Sequence, residues 1–318
     1  MTRKIRIGTR GSDLALWQAH HVAGRLQAAG HASEIVILVT RGDRIDDVPL
    51  QTIEGKGFFT SELEQALLEE RIDLAVHSHK DLPSAMTEGL VIAAVPARAA
   101  SEERLLVAPD RHDPGGLFLP LVRGARVGTS APRRTAQLAA LRADLELLAL
   151  RGNVPTRVRR LREGRYDAIV LAAAGLERLA LDLGGLVVHT LPSDLVVPAP
   201  VQGALAVQTR ARDQELRELC GRVLADPLAA ATVAAERSLL VAMGGGCNLP
   251  LGVALRRESE RSWRATAFLG AGHPLPHHPA RCVTPRRPIP QRRSRPWGRG
   301  SAPETRRKRA RSRVCVSP

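Results

Sequence analysis

Arg71-Ile72-Asp73-Leu74-Ala75-Val76-His77-Ser78-His79-Lys80-Asp81-Leu82-Pro83 begins as an apolar run and then breaks into five consecutive polar residues. A strand buried on both faces of a parallel sheet reads this way, and open α/β sheets place ligands beyond the carboxyl ends of their strands. His77, Ser78, Lys80 and Asp81 are therefore expected over a cleft. Taken alone, Asp81 is equally a turn residue ahead of Pro83. The cleft reading gains weight from the rest of the chain, which supplies arginines at comparable positions.

On the N-terminal side, residues 5–8 form a strand pattern, followed by Thr9-Arg10-Gly11-Ser12 and a helix with Ala15, Ala19, Val22 and Leu26 at helical spacing. Ser12 is the expected N-cap, and the free backbone N–H groups there suit an anion, with Arg10 beside them. A second strand is expected at 35–39. Lys56 lies in Glu54-Gly55-Lys56-Gly57-Phe58-Phe59, which lacks P-loop spacing and by itself reads as an exposed turn. Ser61-Glu62-Leu63-Glu64 predicts a capping box for a helix through Glu70. Another strand pattern covers 90–95.

A second block, from about 104 to 195, repeats this alternation. Strand patterns at 126–128, 145–150 and 168–171 lead into Thr129-Ser130-Ala131-Pro132-Arg133-Arg134, Arg151-Gly152-Asn153 and Ala172 to Arg178. Pro132 suits a first helical turn, and Asn153 caps a helix carrying Arg157, Arg159, Arg160 and Arg162. Arg10, Arg133, Arg134, Arg151 and Arg178 fall at or just beyond strand ends, where ligands bind. Arg159 and Arg162 read as helix decoration. Pro192–Pro200 is the expected crossing segment, and 202–207 a strand returning to the first sheet. The fold class expected is α/β, with two lobes of the periplasmic-binding-protein type joined by a hinge. Residues 1–98 with 200–216 form one lobe and 99–199 the other. Residues 217–278 make a small, incomplete C-terminal α+β domain, with two helices through Ala242, strands near 251–255 and 263–269, and a Gly244-Gly245-Gly246 loop presenting Cys247.

Charge needs dissection. The 318-residue chain carries a formal +15, yet residues 281–318 hold 13 Lys+Arg and one acidic residue, leaving 34 basic and 31 acidic elsewhere. The basic character therefore belongs to an Arg/Pro-rich tail, residues 279–318, which is expected to be disordered because it cannot bury enough surface. Nucleic-acid binding would rest on that tail alone, which has one aromatic residue, Trp297, and no recognition motif. Cys220, Cys247, Cys282 and Cys315 show no metal-ligand or disulfide spacing. No run reaches transmembrane length and the first residues lack a signal-peptide block. The expectation is a cytoplasmic monomer without metal, membrane or nucleic-acid partner.

Several loops together resemble the porphobilinogen deaminase (hydroxymethylbilane synthase) family. These are Ile7-Gly8-Thr9-Arg10-Gly11-Ser12, Leu16-Trp17-Gln18-Ala19, Thr40-Arg41-Gly42-Asp43, Gly55-Lys56-Gly57-Phe58-Phe59, Ala75-Val76-His77-Ser78-His79-Lys80-Asp81, Gly128-Thr129-Ser130, Arg133-Arg134, Leu150-Arg151-Gly152-Asn153-Val154, Thr156-Arg157, Ala174 to Leu179, Gln202-Gly203-Ala204 and Gly245-Gly246-Cys247. The resemblance implies an enzyme that condenses four porphobilinogen molecules head to tail on a dipyrromethane cofactor, releasing ammonia and finally hydroxymethylbilane. It implies a thioether from that cofactor to Cys247, and catalysis by Asp81 with Lys80. Ser12, Lys56, Ser78, Ser130, Arg133, Arg134 and Asp81 would hold the cofactor. Arg10, Arg151, Arg157, Arg178, Gln18 and Phe59 would hold substrate. The chemistry is coherent, because pyrroles bearing acetate and propionate accumulate carboxylates, which arginine forks grip in pairs. Asp81 would stabilise the cations formed when ammonia leaves and a pyrrole attacks.

Two departures stand out. Ala131 replaces a serine common in the family, and from about residue 276 the family's further strand and helix give way to the Arg/Pro-rich sequence. The rival reading is a non-catalytic two-lobed anion receptor, which leaves Gly-Gly-Cys and Lys80-Asp81 without a purpose. Limited trypsin digestion should remove the tail before it cuts either lobe; a tail that outlasts the lobes would contradict the compositional reading.

Overall fold

The computed structural model describes residues 4–40, 60–116, 118–244, 249–259 and 262–270. Strand β3 (Leu74–Ser78) lies at the centre of the first sheet, as the opening run predicts. It is flanked by β1 (Ile5–Thr9), in parallel, and by β10 (Leu205–Arg210), antiparallel. With β2 (Ser33–Ile37) and β4 (Leu90–Ala94) the order is β2-β1-β3-β10-β4. Period-two alternation sends Leu74 and Val76 to one face, against Ala19, Val22 and Leu26 of α1 (Asp13–Ala28). It sends Ala75 to the other, against Leu63, Ala66 and Leu67 of α2 (Ser61–Leu68).

The second sheet repeats this order. It contains β5 (Glu103–Val107), β6 (Arg126–Gly128), β7 (Glu146–Leu148), β8 (Ala168–Ala172) and β9 (Val187–Leu191), arranged β7-β6-β8-β5-β9. Again the fourth strand, β5, runs antiparallel to both neighbours. The faces are covered by α3 (Pro132–Leu141) on one side, and by α4 (Val154–Arg162) and α5 (Ala173–Leu179) on the other. Even the anchors match. Asp73, just before β3, accepts from the backbone N–H and guanidinium of Arg6 at 2.9 and 2.8 Å. Asp167, just before β8, does the same for Arg126 at 2.8 and 2.9 Å. Two equivalent lobes result, each receiving its antiparallel strand from a crossing.

The crossings press together. Ala99 N donates to Gly203 O at 3.2 Å, and Gly203 has φ +85 with space for no Cβ, since one would sit 2.5 Å from Ala99 O. Neighbouring Val201, buried and β-branched, is held at φ 57, in the left-handed region. This tight passage is why the return strand begins at Leu205 and not at the 202 that periodicity suggests.

Two buried glutamates secure the crossings. Glu103, where the first crossing enters the second lobe, bonds Arg133 and Arg134 from the first turn of α3. Arg133 also donates to Val197 O of the second crossing at 2.6 Å. At the other end, Glu236 accepts from both terminal nitrogens of Arg98 (2.8 and 2.9 Å), from Val201 N (2.6 Å) and from Leu255 N (3.0 Å). Glu236 belongs to α7 (Pro227–Ala242), and Leu255 to β11 (Leu251–Arg257), which pairs antiparallel with β12 (Trp263–Leu269). The preceding helix α6 (Gln214–Val223) packs Leu216, Leu219 and Cys220 into the first-lobe core, so this helix belongs by packing with the first sheet.

Local signals held unevenly. Ser12 caps α1 through Ala15 N, Asn153 caps α4 through Thr156 N, and Pro132 opens α3. The capping box expected at Ser61–Glu64 does not form. Glu64 turns inward to accept from Thr87 Oγ1 at 2.8 Å and Gln208 Nε2 at 2.9 Å, and α2 ends at Leu68. A buried Gln208 needed an acceptor more than the helix needed a cap. The expected Cys247 loop and the tail from residue 279 lie outside the described residues.

Glu236→Ala strands the Arg98 guanidinium among buried groups, and breaking such a pair costs about 3–5 kcal/mol. Urea unfolding should report a loss of that size. A change below about 1 kcal/mol would mean that the carboxylate does not secure the crossings.

Candidate functional site

Strand β3 ends where the site begins. Its last residue, Ser78, accepts from Gln18 Nε2 of α1 at 2.8 Å. One 3₁₀ turn follows, His79–Asp81, with His79 N bonded to Ala204 O at 3.0 Å and Leu82 N to His79 O at 3.3 Å. The turn aims two side chains outward: Lys80 is exposed and Asp81 half-buried. Lys80 Nζ donates to Gln202 Oε1 at 3.3 Å, and Gln202 Nε2 donates to Ser101 O at 2.8 Å. The two crossings therefore brace Lys80. Arg10, half-buried at the end of β1, is near enough to act electrostatically on His77.

From the second lobe come the arginines. Arg157 Nε donates to Gly152 O at 2.7 Å, turning the side chain back over its own helix N-terminus. Arg160 holds Arg151 O at 2.9 Å, fixing the β7 exit loop. Ser130 Oγ donates to Leu150 O at 2.6 Å and accepts from Leu150 N at 3.0 Å, so this hydroxyl clamps the exit loops of β6 and β7 together. Arg178 reaches the first lobe, donating to Gly203 O at 2.7 Å and lying 5.5 Å over the Trp17 ring.

Charge shows what has been gathered. Burial pushes the Arg157 guanidinium down to about 10; Arg134, Arg151 and Arg160 add to the shift, while Asp81 opposes it. Burial also brings Arg178 down to about 10. Although solvent reaches it, Lys80 is lowered to about 8 by the protein packed around it and by Arg134 and Arg133, against the pull of Asp81 and Glu103. Burial works against the Glu103 carboxylate, yet Arg134 and Arg133 overcome it and hold the group well below the usual carboxylate range. Asp81 of one lobe and Arg134, Arg151 and Arg157 of the other thus share a single electrostatic environment. Beneath it, His77 and His79 are lowered to about 4 by burial and stay neutral. His77 Nε2 faces Gln208 Oε1 at 3.0 Å; because Gln208 donates to Glu64, His77 must carry its proton on Nε2.

Several expected roles look different in this setting. Arg133 and Arg134 are buried and already bonded to Glu103, at 2.5 Å for Arg133 and at 3.0 and 2.7 Å for Arg134, so a ligand carboxylate would have to share them with it. Ser12 spends its oxygen on the α1 cap. Lys56, Phe59 and Cys247 lie outside the described residues. Glu103, Arg98, Glu236 and Arg237 escaped sequence reasoning, and Gln202 stands in a matching motif that gives it no role. One signal did exist: Glu236 and Arg237 are the only charged residues in the 16-residue helix α7.

The model of the family described as "Porphobilinogen deaminase, dipyromethane cofactor binding domain" matches residues 5–218. A porphobilinogen deaminase of Roseiflexus castenholzii is 48% identical over 254 residues, covering 79% of this chain and 81% of that protein. The Rubrobacter xylanophilus porphobilinogen deaminase is 47% identical over 253 residues, covering 79% and 80%. Among solved structures, an arginine transport-system periplasmic binding protein from Legionella pneumophila aligns over 75% of this chain and 99% of its own, at 11% identity and TM-score 0.41.

The lowered Lys80 ammonium is directly measurable, because the chain has four lysines, Lys4, Lys56, Lys80 and Lys308. Deprotonation generates the reactive amine, so acylation of Lys80, followed by peptide mass spectrometry, should rise with a midpoint near pH 8. A midpoint at the ordinary value of 10.5 would mean that solvent exposure outweighs the packing and the cations around this side chain.

Proposed function

This chain belongs to the porphobilinogen deaminase family, and we propose that its chemistry takes place between the lobes, around Asp81. The protein is a hydroxymethylbilane synthase: it joins porphobilinogen units head to tail on a dipyrromethane cofactor, with loss of ammonia. The observation that carries the site assignment is that the Lys80–Asp81 turn meets both crossings, Lys80 bonding Gln202 and Gln202 bonding Ser101 O, while Arg178 of the second lobe bonds Gly203 O beside them.

The donor set fits the group. A dipyrromethane carries acetate and propionate arms, and Lys80, Arg10, Arg134, Arg151, Arg157 and Arg178 supply matching cations from both lobes. When bound, the cofactor supplies the nucleophilic pyrrole to which the first substrate unit is joined. Lys80, Arg134, Ser78 and Ser130 are the described residues that would hold it, with Arg133 contributing insofar as Glu103 shares it. Ser12, Lys56 and a thioether at Cys247 complete the proposed attachment. Arg10, Arg151, Arg157, Arg178, Gln18 and Phe59 are the proposed substrate-side residues. The Asp81 carboxylate, fixed on its 3₁₀ turn, offers a counter-charge as ammonia leaves the substrate and positive charge develops. Lys80, protonated below about pH 8, keeps a carboxylate arm in register beside it. The sequence pattern starts the cofactor-carrying part at residue 217; because α6 packs on the first sheet, we propose instead that it starts at about 225, with a first lobe of residues 1–98 and 200–224 and a second of 99–199.

Cys247→Ser and Asp81→Ala should fail differently. The serine chain should lack the cofactor mass and be inactive. Supplied with preformed hydroxymethylbilane, Asp81→Ala should acquire that mass yet lose roughly 10²–10³ in rate, since it lacks one preorganised electrostatic group. Asp81→Glu should be slow but alive. Intact mass and product absorbance check all three, and an Asp81→Ala enzyme within a few-fold of the parent would remove Asp81 from catalysis.

A further inference from the structure

Resting on the reading of Asp81 above, we infer that Arg237 is a positioning residue for the Lys80–Asp81 turn, holding it from the helix that leads on to Cys247. Arg237 stands half-buried on α7, next to Glu236. One of its terminal nitrogens, Nη2, donates to Pro83 O at 2.7 Å and to Ser84 O at 3.0 Å, and lies 3.9 Å from Met86 Sδ. These acceptors are the second and third residues after Asp81.

The turn has two ends, and different groups hold each. Its start is tied to β10 by His79 N bonding Ala204 O, and its Lys80 to Gln202. Its exit passes through Leu82, 3% exposed, to the two carbonyls that Arg237 gathers. A 3₁₀ turn of three residues is closed by weak geometry, here one bond of 3.3 Å from Leu82 N to His79 O. The direction of the Asp81 side chain therefore depends on where the exit segment is pinned. Arg237 pins it with a single planar NH₂ whose two hydrogens serve adjacent carbonyls. A lysine, a compact point charge on a flexible stem, reproduces this only in part.

The choice of α7 as anchor has a mechanical consequence. Consecutive helical residues point about 100° apart, so Glu236 and Arg237 face different partners. Glu236 grips Arg98, Val201 and Leu255, while Arg237 grips the exit of the Asp81 turn. Arg98 in turn donates to Gln202 O at 2.9 Å, and Gln202 receives Lys80. One helix thus references the catalytic turn and the lobe crossings to the same rigid element. Among the described residues, Arg237 bonds none of the reacting groups or clustered cations, which makes its role positional.

The test is a double-mutant cycle in the full-length, cofactor-loaded chain, using Arg237→Leu and Arg237→Lys, each in the parent and in the Asp81→Glu background. In the parent, Arg237→Leu should lower kcat about 10²-fold, the loss typical of a misplaced catalytic group, and leave KM within a few-fold. Intact mass should still show the cofactor when preformed hydroxymethylbilane is supplied, and Arg237→Lys should recover only part of the rate, leaving a measurable loss in kcat in the parent that shrinks in the Asp81→Glu background. In the Asp81→Glu background, where the carboxylate is already displaced, the same substitution should cost only a few-fold, because residues acting through one another are not additive. Unchanged kcat in folded Arg237→Leu, or an equal loss in both backgrounds, would overturn the proposal. Should Arg237→Leu fail to fold, the Arg237→Lys pair decides by the same comparison. The reading of Asp81 is judged separately, by Asp81→Ala alone.

Discussion

Two arginines side by side under a cleft repel each other, and the Glu103 carboxylate is what allows this protein to place them there. It is fully buried and bonds both guanidiniums from the first turn of α3. A group of this kind adds little net stability, since desolvating three charges consumes most of the Coulombic gain. Its contribution is positional. Glu103 is the first residue of β5, so the same ion cluster that neutralises one positive charge also fixes where the first crossing enters the second lobe. Arg133 carries the constraint to the second crossing through Val197 O. The position of the hinge and the charge of the cleft floor are set by one cluster.

Glu236 does the complementary work at the first-lobe end, with four donors on one carboxylate. One of those donors is Val201 N, belonging to a β-branched residue in a left-handed conformation that ordinarily costs of order 1–3 kcal/mol. The glutamate bond and near-complete burial hold it there. Strain at this point turns the chain sharply enough to bring Gln202 against Lys80, so backbone cost is exchanged for side-chain placement next to the site.

How much of this was readable beforehand depended on distance along the chain. The β3 run, the N-caps Ser12 and Asn153, the Pro132 helix start and the two helices after Asp213 are local features, written in neighbouring residues. The two-lobe order followed from counting strands and crossings. Glu103, Glu236 and the inward turn of Glu64 could not be read in the same way, because a glutamate chooses its partner by three-dimensional proximity, and those partners lie 30 or more residues away for Glu103 and 138 for Arg98 and Glu236. The capping-box expectation failed for that reason: at Glu64 a local pattern competed with a buried distant donor, Gln208, and lost. Strand-end arginines were legible as a set, but not which of them an internal carboxylate already engages.

A cleft built for polyanions needs cations, and a reaction that generates positive charge needs the opposite. In the site proposed above, both requirements meet at residues 80 and 81. At about 4 Å and an effective dielectric near 20, a unit charge pair is worth ~4 kcal/mol, so each arginine close to a developing cation would raise its barrier appreciably. Burial lowers Arg157 and Arg178, internal carbonyls take donors from both, and Gln202 takes one from Lys80, so these cations are partly engaged before any ligand arrives. Asp81 then supplies negative charge at one fixed point without cancelling the cleft as a whole. Separating the two demands requires Asp81 to be accurately located relative to Lys80, and neither the short 3₁₀ turn nor β3 alone could ensure that. This is why the turn is braced from β10 at its start and from α7 at its exit.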